Sequence, residues 1–399
     1  MLVTMGLAGV FALAEMCLYQ YDRLKKDLSC LLFFLIVFIV GIKYYYGPDI
    51  HFYVPLYESI GSVSEVWKNG RTLYPDTEIG YLILCSFFKG LGLSYWGFTL
   101  FICLLYFYAI FRLFGKLKSH RSLALFALTV FESSLMYFEF RQCIAVSVFI
   151  LGVVAFFDKK YIWYALLMIL SVFCHKSAIF AVAIGFVSLI LPTIKYSRYY
   201  FLCLVIMIVL GIFISVGDLL VAMSDILPVS GRTIFSIKHH LEIENSTQIV
   251  LGFYLILFIS LFQYSTLPDK AHRKFFILSV AFLFCIAIFY KYWFFLNRLR
   301  SFFSPLLIVF VINTIYEKQI RITFIRQGLG IALFLLAFAL GRGIYLSNKL
   351  GESKVLDPTT IFDRLHRSEK DIRDKNIAKS HLYFRKEYLI NKLNNSKKL

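Results

Sequence analysis

Long apolar runs with few charges recur along almost the whole chain, and they restrict its fold more than any other feature. Each run has about 15 to 22 residues, and about 20 residues of helix are needed to cross the ~30 Å hydrocarbon core of a bilayer. One such run is compatible with a signal peptide, but this chain has about twelve. The sequence therefore predicts an all-α, polytopic membrane protein, a bundle of about twelve transmembrane helices.

The predicted spans divide the chain into a transmembrane domain, residues 1–347, and a polar basic tail, residues 348–399. The spans cover residues 2–19, 28–46, 94–114, 121–138, 140–157, 160–174, 177–191, 198–216, 247–264, 273–290, 299–316 and 325–346. Residues 79–91 are apolar but too short to cross, so we expect a re-entrant or interfacial helix there. The two larger outer loops are residues 47–93 and 217–246.

Basic residues in short loops orient the predicted bundle. They follow every second span, in stretches such as YDRLKKD, GKLKSHR and PDKAHRK, and the positive-inside rule assigns such loops to the cytoplasm. Both larger loops, the Glu139–Arg141 turn, His175 and residues 291–300 then face the exterior. Twelve spans also put the tail outside, although Lys and Arg outnumber Asp and Glu in it, and the alternative is a span count that differs by one.

Composition and motifs exclude several classes of function. The net charge is +18, but most Lys and Arg lie in loops and in the tail, so we expect no nucleic-acid partner. The eight Cys are scattered singly through apolar runs, which argues against a disulfide framework or a zinc site. The sequence has no P-loop, GxGxxG, GxSxG or HExxH motif. We therefore expect no metal and no other cofactor.

Polar residues on the predicted outer face are the candidates for chemistry, because an ionisable group at a membrane is costly unless it has a partner or water. Asp49, Tyr53 and Tyr57 are spaced by four residues, which puts them on one stripe of a helix. A carboxylate and two phenol rings suit a sugar, whose apolar face stacks on aromatic rings. The alternative interpretation is an aromatic belt at the membrane interface.

A second set of candidates comprises Glu78, Tyr81 and His175. Glu78 and Tyr81 lie where the chain re-enters apolar surroundings, and this carboxylate suits a base, a partner for an arginine, or an acid favoured near a helix N-terminus. His175 lies between two spans at the predicted outer depth, and a neutral imidazole there can take a proton from a sugar hydroxyl. The alternative for His175 is a hydrogen-bonded structural role.

Arg141 and Gln142 begin an apolar helix on the face where positive charge is less expected. A guanidinium offers paired donors to a phosphate or a carboxylate, so Arg141 is a candidate ligand for an anion. The alternative is an internal ion pair, either Glu139 with Arg141 or Glu132 with another arginine.

Arg298 and Arg300 open a later helix on the same predicted face, and Arg71 lies in the first large outer loop. Several arginines at the entry to apolar helices indicate an anion held at the membrane surface. The alternative is anchoring to lipid head groups, which fits one arginine of the pair better than all of them.

These motifs, in their order, resemble those of the EpsG-type family of Wzy-like bacterial polysaccharide polymerases. The resemblance extends from about residue 44 to residue 310 and rests on short motifs taken together with the membrane framework. The motifs are D-I-x-x-Y-x-x-x-Y from Asp49, E-x-G-Y from Glu78, R-Q-x-I-A from Arg141, H-K-S-A from His175 and R-L-x-x-F-F from Arg298.

The resemblance implies a polymerase on the outer side of a bacterial cytoplasmic membrane. Its substrates would be oligosaccharide repeat units carried on undecaprenyl pyrophosphate, and its product an O-antigen, capsule or exopolysaccharide. Arg141 and Arg298, with Arg300 or Arg71, would bind the departing diphosphate, and His175, Glu78 or Asp49 would supply the base. Membrane lipid is an expected partner, and a chain-length regulator is a possible one. The alternatives are a flippase for lipid-linked sugars and another polyprenyl-dependent glycosyltransferase or ligase.

Overall fold

The described part of the protein is built from helices and short connections. The computed structural model describes residues 2–17, 21–43, 50–75, 77–116, 120–132, 135–136, 139–190 and 293–317, and the isolated positions 206, 368 and 370–371. Its principal helices are α1 (Leu2–Cys17), α2 (Asp22–Gly41), α3 (Ile50–Ser59), α4 (Val63–Leu73), α5 (Ile79–Gly90), α6 (Tyr95–Lys116), α7 (Arg121–Phe131), α8 (Phe140–Phe157), α9 (Tyr161–Cys174), α10 (Ala178–Ile190) and α11 (Trp293–Glu317).

Two of these helices are long and apolar enough to cross a membrane, namely α6 and α8. Three shorter apolar helices lie at Gly6–Cys17, Ile79–Gly90 and Tyr161–Cys174. Apart from position 206, the predicted spans 198–216, 247–264, 273–290 and 325–346, the loop 217–246 and nearly all of the tail lie outside the described residues. The all-α class is therefore confirmed for the described residues, while the count of twelve spans stays a prediction.

Helix α8 forms the centre of the described bundle. Most of its length is buried, and it packs against α6, α9 and α11. Small and polar residues bring α9 close to it: the Ser171 hydroxyl donates to the Ala145 carbonyl at 2.8 Å, and a Cβ at Gly152 would lie 2.7 Å from the end of the Met168 side chain. Close approach at small residues is the usual packing device of helices in an apolar solvent.

Residues 121–138, predicted as one span, do not form a single helix. Helix α7 ends at Phe131, and Glu132 takes a non-helical conformation with φ −114° and ψ 26°. The carboxylate of Glu132 accepts a hydrogen bond from the Ser301 hydroxyl on α11, so the chain turns where this buried acid meets its partners. Glu132 and Glu139 consequently do not share the face of one continuous helix.

The predicted outer loop 47–93 contains α3, α4 and α5. The Ser62 side chain caps α4 by accepting from the Glu65 amide at 3.4 Å, as expected of serine at this position. Helix α5 corresponds to the short apolar segment predicted at 79–91, and its position relative to a membrane stays a prediction. A Cβ at Gly80 would lie 2.6 Å from the Phe173 carbonyl oxygen, so only glycine permits the start of α5 to approach the end of α9 this closely.

Candidate active site

A carboxylate and an imidazole meet where the start of α5 touches the end of α9. Glu78 Oε1 lies 2.9 Å from His175 Nδ1, and the Lys176 amide donates to the same oxygen at 3.3 Å. Both side chains are buried. Glu78 occupies the N-cap position of α5 but makes no side-chain cap bond, because its carboxylate is turned toward the neighbouring helices. The carboxylate at the start of α5 therefore binds groups at the end of α9 instead of capping its own helix.

Arg141, in the first turn of α8, joins this pair from the other side. Its Nη1 donates to Glu78 Oε2 at 2.8 Å, and its Nε donates to the Tyr53 hydroxyl at 3.2 Å. The guanidinium also lies 5.9 Å from the centre of the Phe52 ring and 5.8 Å from that of Tyr53, within the range of cation–π contacts. Helices α3, α5, α8 and α9 thus contribute to one connected set of polar groups.

Burial and neighbouring charges oppose each other in setting the protonation of this set. Burial alone would raise the pKa of Glu78, but the hydrogen bond from His175, the charge that His175 carries when it is protonated, and the charge of Arg141 lower it to about 2. Burial lowers the pKa of His175, the Glu78 carboxylate opposes this, and the charges of Arg298 and Arg141 add to the lowering. At neutral pH the site therefore holds an ionised Glu78 and a neutral His175.

These charge states assign the tautomer of His175. An ionised carboxylate only accepts hydrogen bonds, so Nδ1 carries the proton and donates a hydrogen bond to Glu78. The lone pair of a neutral imidazole then lies on Nε2, which contacts no hydrogen-bond partner among the described residues. This arrangement, with a base oriented by a buried carboxylate, is suited to accepting a proton from a substrate hydroxyl.

Helix α11 brings Arg298 to the same site. The Gln142 side-chain amide donates to the Arg298 carbonyl at 2.8 Å, which joins α8 to α11 one residue beyond Arg141. The half-buried Arg298 side chain interacts electrostatically with Glu78, Arg141 and Glu139. Two guanidinium groups therefore act on the Glu78–His175 pair, Arg141 by direct contact and Arg298 through its charge, although they come from helices far apart in the sequence.

Tyr57 and Tyr81 lie behind this polar set, inside an aromatic layer. The Tyr57 hydroxyl donates to the Leu93 carbonyl at 2.8 Å, and its ring stacks on Phe98 at 5.5 Å between centroids. Tyr81 is fully buried, and its ring meets that of Tyr53 edge-on at 5.8 Å. Their predicted contact with sugars stays a prediction; in the structure the Tyr81 ring packs against Tyr53, and the Tyr57 ring packs against Tyr95 and Phe98.

Arg300 lies apart from the site. Its Nε is 3.2 Å from Glu132 Oε1, and both residues are buried. This is the alternative considered for Glu132, an ion pair with another arginine. Asp49 lies outside the described residues, and of Arg71 only the backbone, in α4, is described.

Lys43 is a buried cation that sequence reasoning passed over. Its ammonium group donates to the Met136 carbonyl at 2.8 Å and lies 4.3 Å from the centre of the Phe140 ring, next to Arg141 in sequence. The sequence signal that could have identified it is a single lysine near the predicted outer end of the apolar run 28–46. Within the described ranges, no three potential metal ligands of the His, Cys, Asp and Glu types come together.

Comparison with known families decides the relationship that the motifs indicate. A model of the EpsG family matches residues 27–341, well over half of the chain. The chain belongs to the EpsG family. Every member of the polar set lies inside the matched range, and membership in this EpsG family, with the apolar helices α6 and α8, identifies a membrane protein with a role of the polysaccharide-polymerase type. No curated protein and no solved structure gives a significant match to the chain.

Proposed function

We propose that this EpsG-family protein is a glycosyltransferase that joins undecaprenyl-pyrophosphate-linked repeat units into a surface polysaccharide such as an O-antigen, capsule or exopolysaccharide. The observation that carries the proposal is the hydrogen-bonded chain from Tyr53 through Arg141 and Glu78 to His175, with Arg298 beside it. Five residues from separate motifs converge there. The set contains what transfer from a lipid diphosphate requires, namely cations for the leaving group and a base for the acceptor.

The two arginines serve the leaving group. When the bond between the anomeric carbon and the diphosphate oxygen breaks, negative charge builds on that oxygen. Fixed cationic donors at this position stabilise the transition state, and each is commonly worth about 3 kcal/mol. Arg141 is 22% exposed and Arg298 is half-buried, so both reach a ligand at the surface of the site while remaining anchored by their neighbours.

His175 serves the acceptor. The hydroxyl oxygen of a fresh lipid-linked unit attacks the anomeric carbon of the growing chain, its proton moves to His175 Nε2, and the lipid diphosphate departs with the electron pair of the broken bond. Glu78 then stabilises the imidazolium through Nδ1. The reaction needs no nucleotide, because the donor already carries an activated sugar.

The site would face the exterior of a bacterial cytoplasmic membrane. The supporting argument is the alternation of basic loops, which assigns His175 and the Glu139–Arg141 turn to the side opposite the cytoplasm. Lipid-linked units would reach the site by diffusing within the bilayer, and membrane lipid would surround the protein.

Extension of defined units by the purified protein tests this function. The protein, in lipid nanodiscs, is given one lipid-linked repeat unit without any nucleotide sugar, and the products are sized by gel and mass spectrometry. We expect longer chains from the wild type and from the exposed control Glu65→Gln, and none from Arg141→Ala or Arg298→Ala, whose insertion is checked separately. Strict dependence on a nucleotide sugar, or normal polymer from both arginine variants, would contradict the proposal.

The flippase alternative gives a different result in sealed vesicles. A transporter would move unextended units from one leaflet to the other without lengthening them. A polymerase lengthens units supplied on one side only, and the unextended pool declines as the product grows.

A further inference from the structure

A second polar cluster, outside the proposed active site, joins the end of α7 to the N-terminal third of α11. Glu132 Oε1 lies 3.2 Å from Arg300 Nε, Glu132 Oε2 accepts from the Ser301 hydroxyl at 2.8 Å, and Arg300 Nη2 donates to the Phe131 carbonyl at 3.1 Å. Glu132 is 0% exposed and Arg300 is 7% exposed. The Nε–Oε1 contact lacks hydrogen-bond geometry, so it is an electrostatic contact only. The hydrogen bonds of the cluster join Glu132 to Ser301 and Arg300 to the Phe131 carbonyl.

Stability alone explains such a cluster poorly. A buried ion pair loses so much hydration that apolar residues of similar volume are often equally stabilising. What the pair supplies is a fixed geometry, because a charged group in an apolar interior has few other partners within reach. Breaking one side of it leaves the other charge buried and unpaired.

The position of the cluster on α11 connects it to the active site. Arg298 and Arg300 are two residues apart, and each helical residue turns by about 100°, so their side chains leave α11 on nearly opposite faces. On one face, the Arg298 side chain interacts electrostatically with Glu78, Arg141 and His175. The other carries Arg300 toward Glu132. A single turn of α11 is thus held between Gln142, which binds the Arg298 carbonyl, and Glu132.

We propose that the Glu132–Arg300 pair positions Arg298: it fixes the rotation and the height of the N-terminal third of α11, and thereby aims the Arg298 guanidinium at the diphosphate of a lipid-linked substrate. This inference rests on the proposed function. Glu132 and Arg300 are positioning residues, because neither contacts the Glu78–His175 pair, and their effect reaches the substrate only through Arg298.

A double-mutant cycle on binding, rather than turnover, tests the inference. The affinity for undecaprenyl diphosphate, the lipid product, is measured in nanodiscs for the wild type, Glu132→Gln, Arg298→Ala and the double variant. We expect Glu132→Gln to weaken binding about tenfold in the wild-type background, a coupling of the size seen between linked sites. In the Arg298→Ala background we expect it to have no further effect, because the group that it positions is gone.

A matched control separates positioning from general damage to α7. Glu15 is a buried carboxylate that accepts from the Ser122 and Leu123 amides at the opposite end of that helix. Glu15→Gln should lower the unfolding temperature but weaken binding, if at all, by the same factor with or without Arg298. If Glu132→Gln is too unstable to purify, Arg300→Lys enters the same cycle, since it keeps the charge and loses the forked contact.

The outcomes distinguish the inference from the function on which it rests. A wild-type protein that neither binds the lipid diphosphate nor extends units refutes the proposed function. A wild type that does both, with a Glu132 effect that is absent or equal in the two Arg298 backgrounds, leaves the function intact and overturns the positioning role.

Discussion

His175 Nδ1 lies 2.9 Å from Glu78 Oε1, although the two residues are 97 positions apart in the sequence. This contact joins the end of α9 to the start of α5, and it lies where the absence of a side chain at Gly80 lets the two backbones meet. Because Arg141 binds the other oxygen of the same carboxylate, one buried acid orients both the proposed base and a proposed diphosphate ligand. Glu78 is therefore the organising residue of the site.

Replacing Glu78 should change the pH dependence of extension in a specific direction. The Glu78 carboxylate raises the pKa of His175 against burial and the two arginines. In Glu78→Gln this contribution disappears, so the pKa of His175 falls and the acidic limb of kcat/KM moves to lower pH. The maximal rate should fall about 100-fold, because a glutamine amide also donates to Nδ1 and permits the wrong tautomer.

The measurement is a pH–rate profile of the wild type, Glu78→Gln and the control Glu65→Gln. In the wild type the acidic limb should lie below the ordinary histidine value of 6.5, since burial, opposed by Glu78, lowers the pKa of His175. An acidic limb that stays in place, or moves upward, in Glu78→Gln would show that His175 is not the titrating base.

Two tyrosines one turn apart on α3 should respond differently to loss of their hydroxyls. Tyr53→Phe removes the acceptor of Arg141 Nε, and we expect about a tenfold loss of extension rate with a loss of stability of about 1 kcal/mol. Tyr57→Phe removes a bond to the Leu93 carbonyl, and we expect a similar loss of stability but nearly the wild-type rate. A larger loss of rate in Tyr57→Phe would instead support the sequence-based prediction that Tyr57 holds a sugar.

Sequence patterns grouped several candidate residues on one side of the predicted bundle, but they did not predict which of these residues contact one another. Loop charges assigned Glu78, Arg141 and His175 to one depth, because orientation depends on local composition alone. The sharing of Glu78 between His175 and Arg141 depends on how α5, α8 and α9 pack, which no local pattern encodes.

Arg298 and Arg300 illustrate the limit of grouping by proximity in sequence. Their spacing of two indicated a common anion site, but on a helix this spacing sends side chains to opposite faces. The structure accordingly puts Arg298 beside the proposed active site and Arg300 against Glu132. The end of α7 at Phe131 had a signal in the sequence, because the polar residues 132–134 interrupt the apolar run 121–138, but the partners of Glu132 are visible only in the structure.

Gly80 should tolerate no side chain, whereas Gly90 at the other end of α5 should. A Cβ at Gly80 meets the backbone of Phe173 at 2.6 Å, and backbone cannot rotate away. Gly80→Ala should therefore separate α5 from α9, lengthen the Glu78–His175 contact and lower stability by about 2 kcal/mol, within the range for overpacking. Around Gly90 nothing lies within 4 Å of such an atom, so Gly90→Ala should be neutral or slightly stabilising.

Thermal unfolding and extension rates of the two alanine variants test this contrast. Equal behaviour of Gly80→Ala and Gly90→Ala, with full activity in both, would mean that the close approach of α5 and α9 is not required. Loss of activity in Gly80→Ala with unchanged stability would point to the position of Glu78 alone.

The two ends of α9 should be accessible from opposite sides of the membrane. The helix has 14 residues and is about 21 Å long, shorter than the ~30 Å hydrocarbon core, so it crosses only with help from its flanks or local thinning. Lys160 and Lys176 are exposed and bracket it. In a variant whose Cys17, Cys30, Cys203 and Cys285 are replaced by serine, Lys176→Cys should react with a membrane-impermeant thiol reagent from outside intact cells. Lys160→Cys should react only after the membrane is permeabilised. If both cysteines were labelled from the same side, α9 would be re-entrant, and the argument for an outward-facing site would be lost.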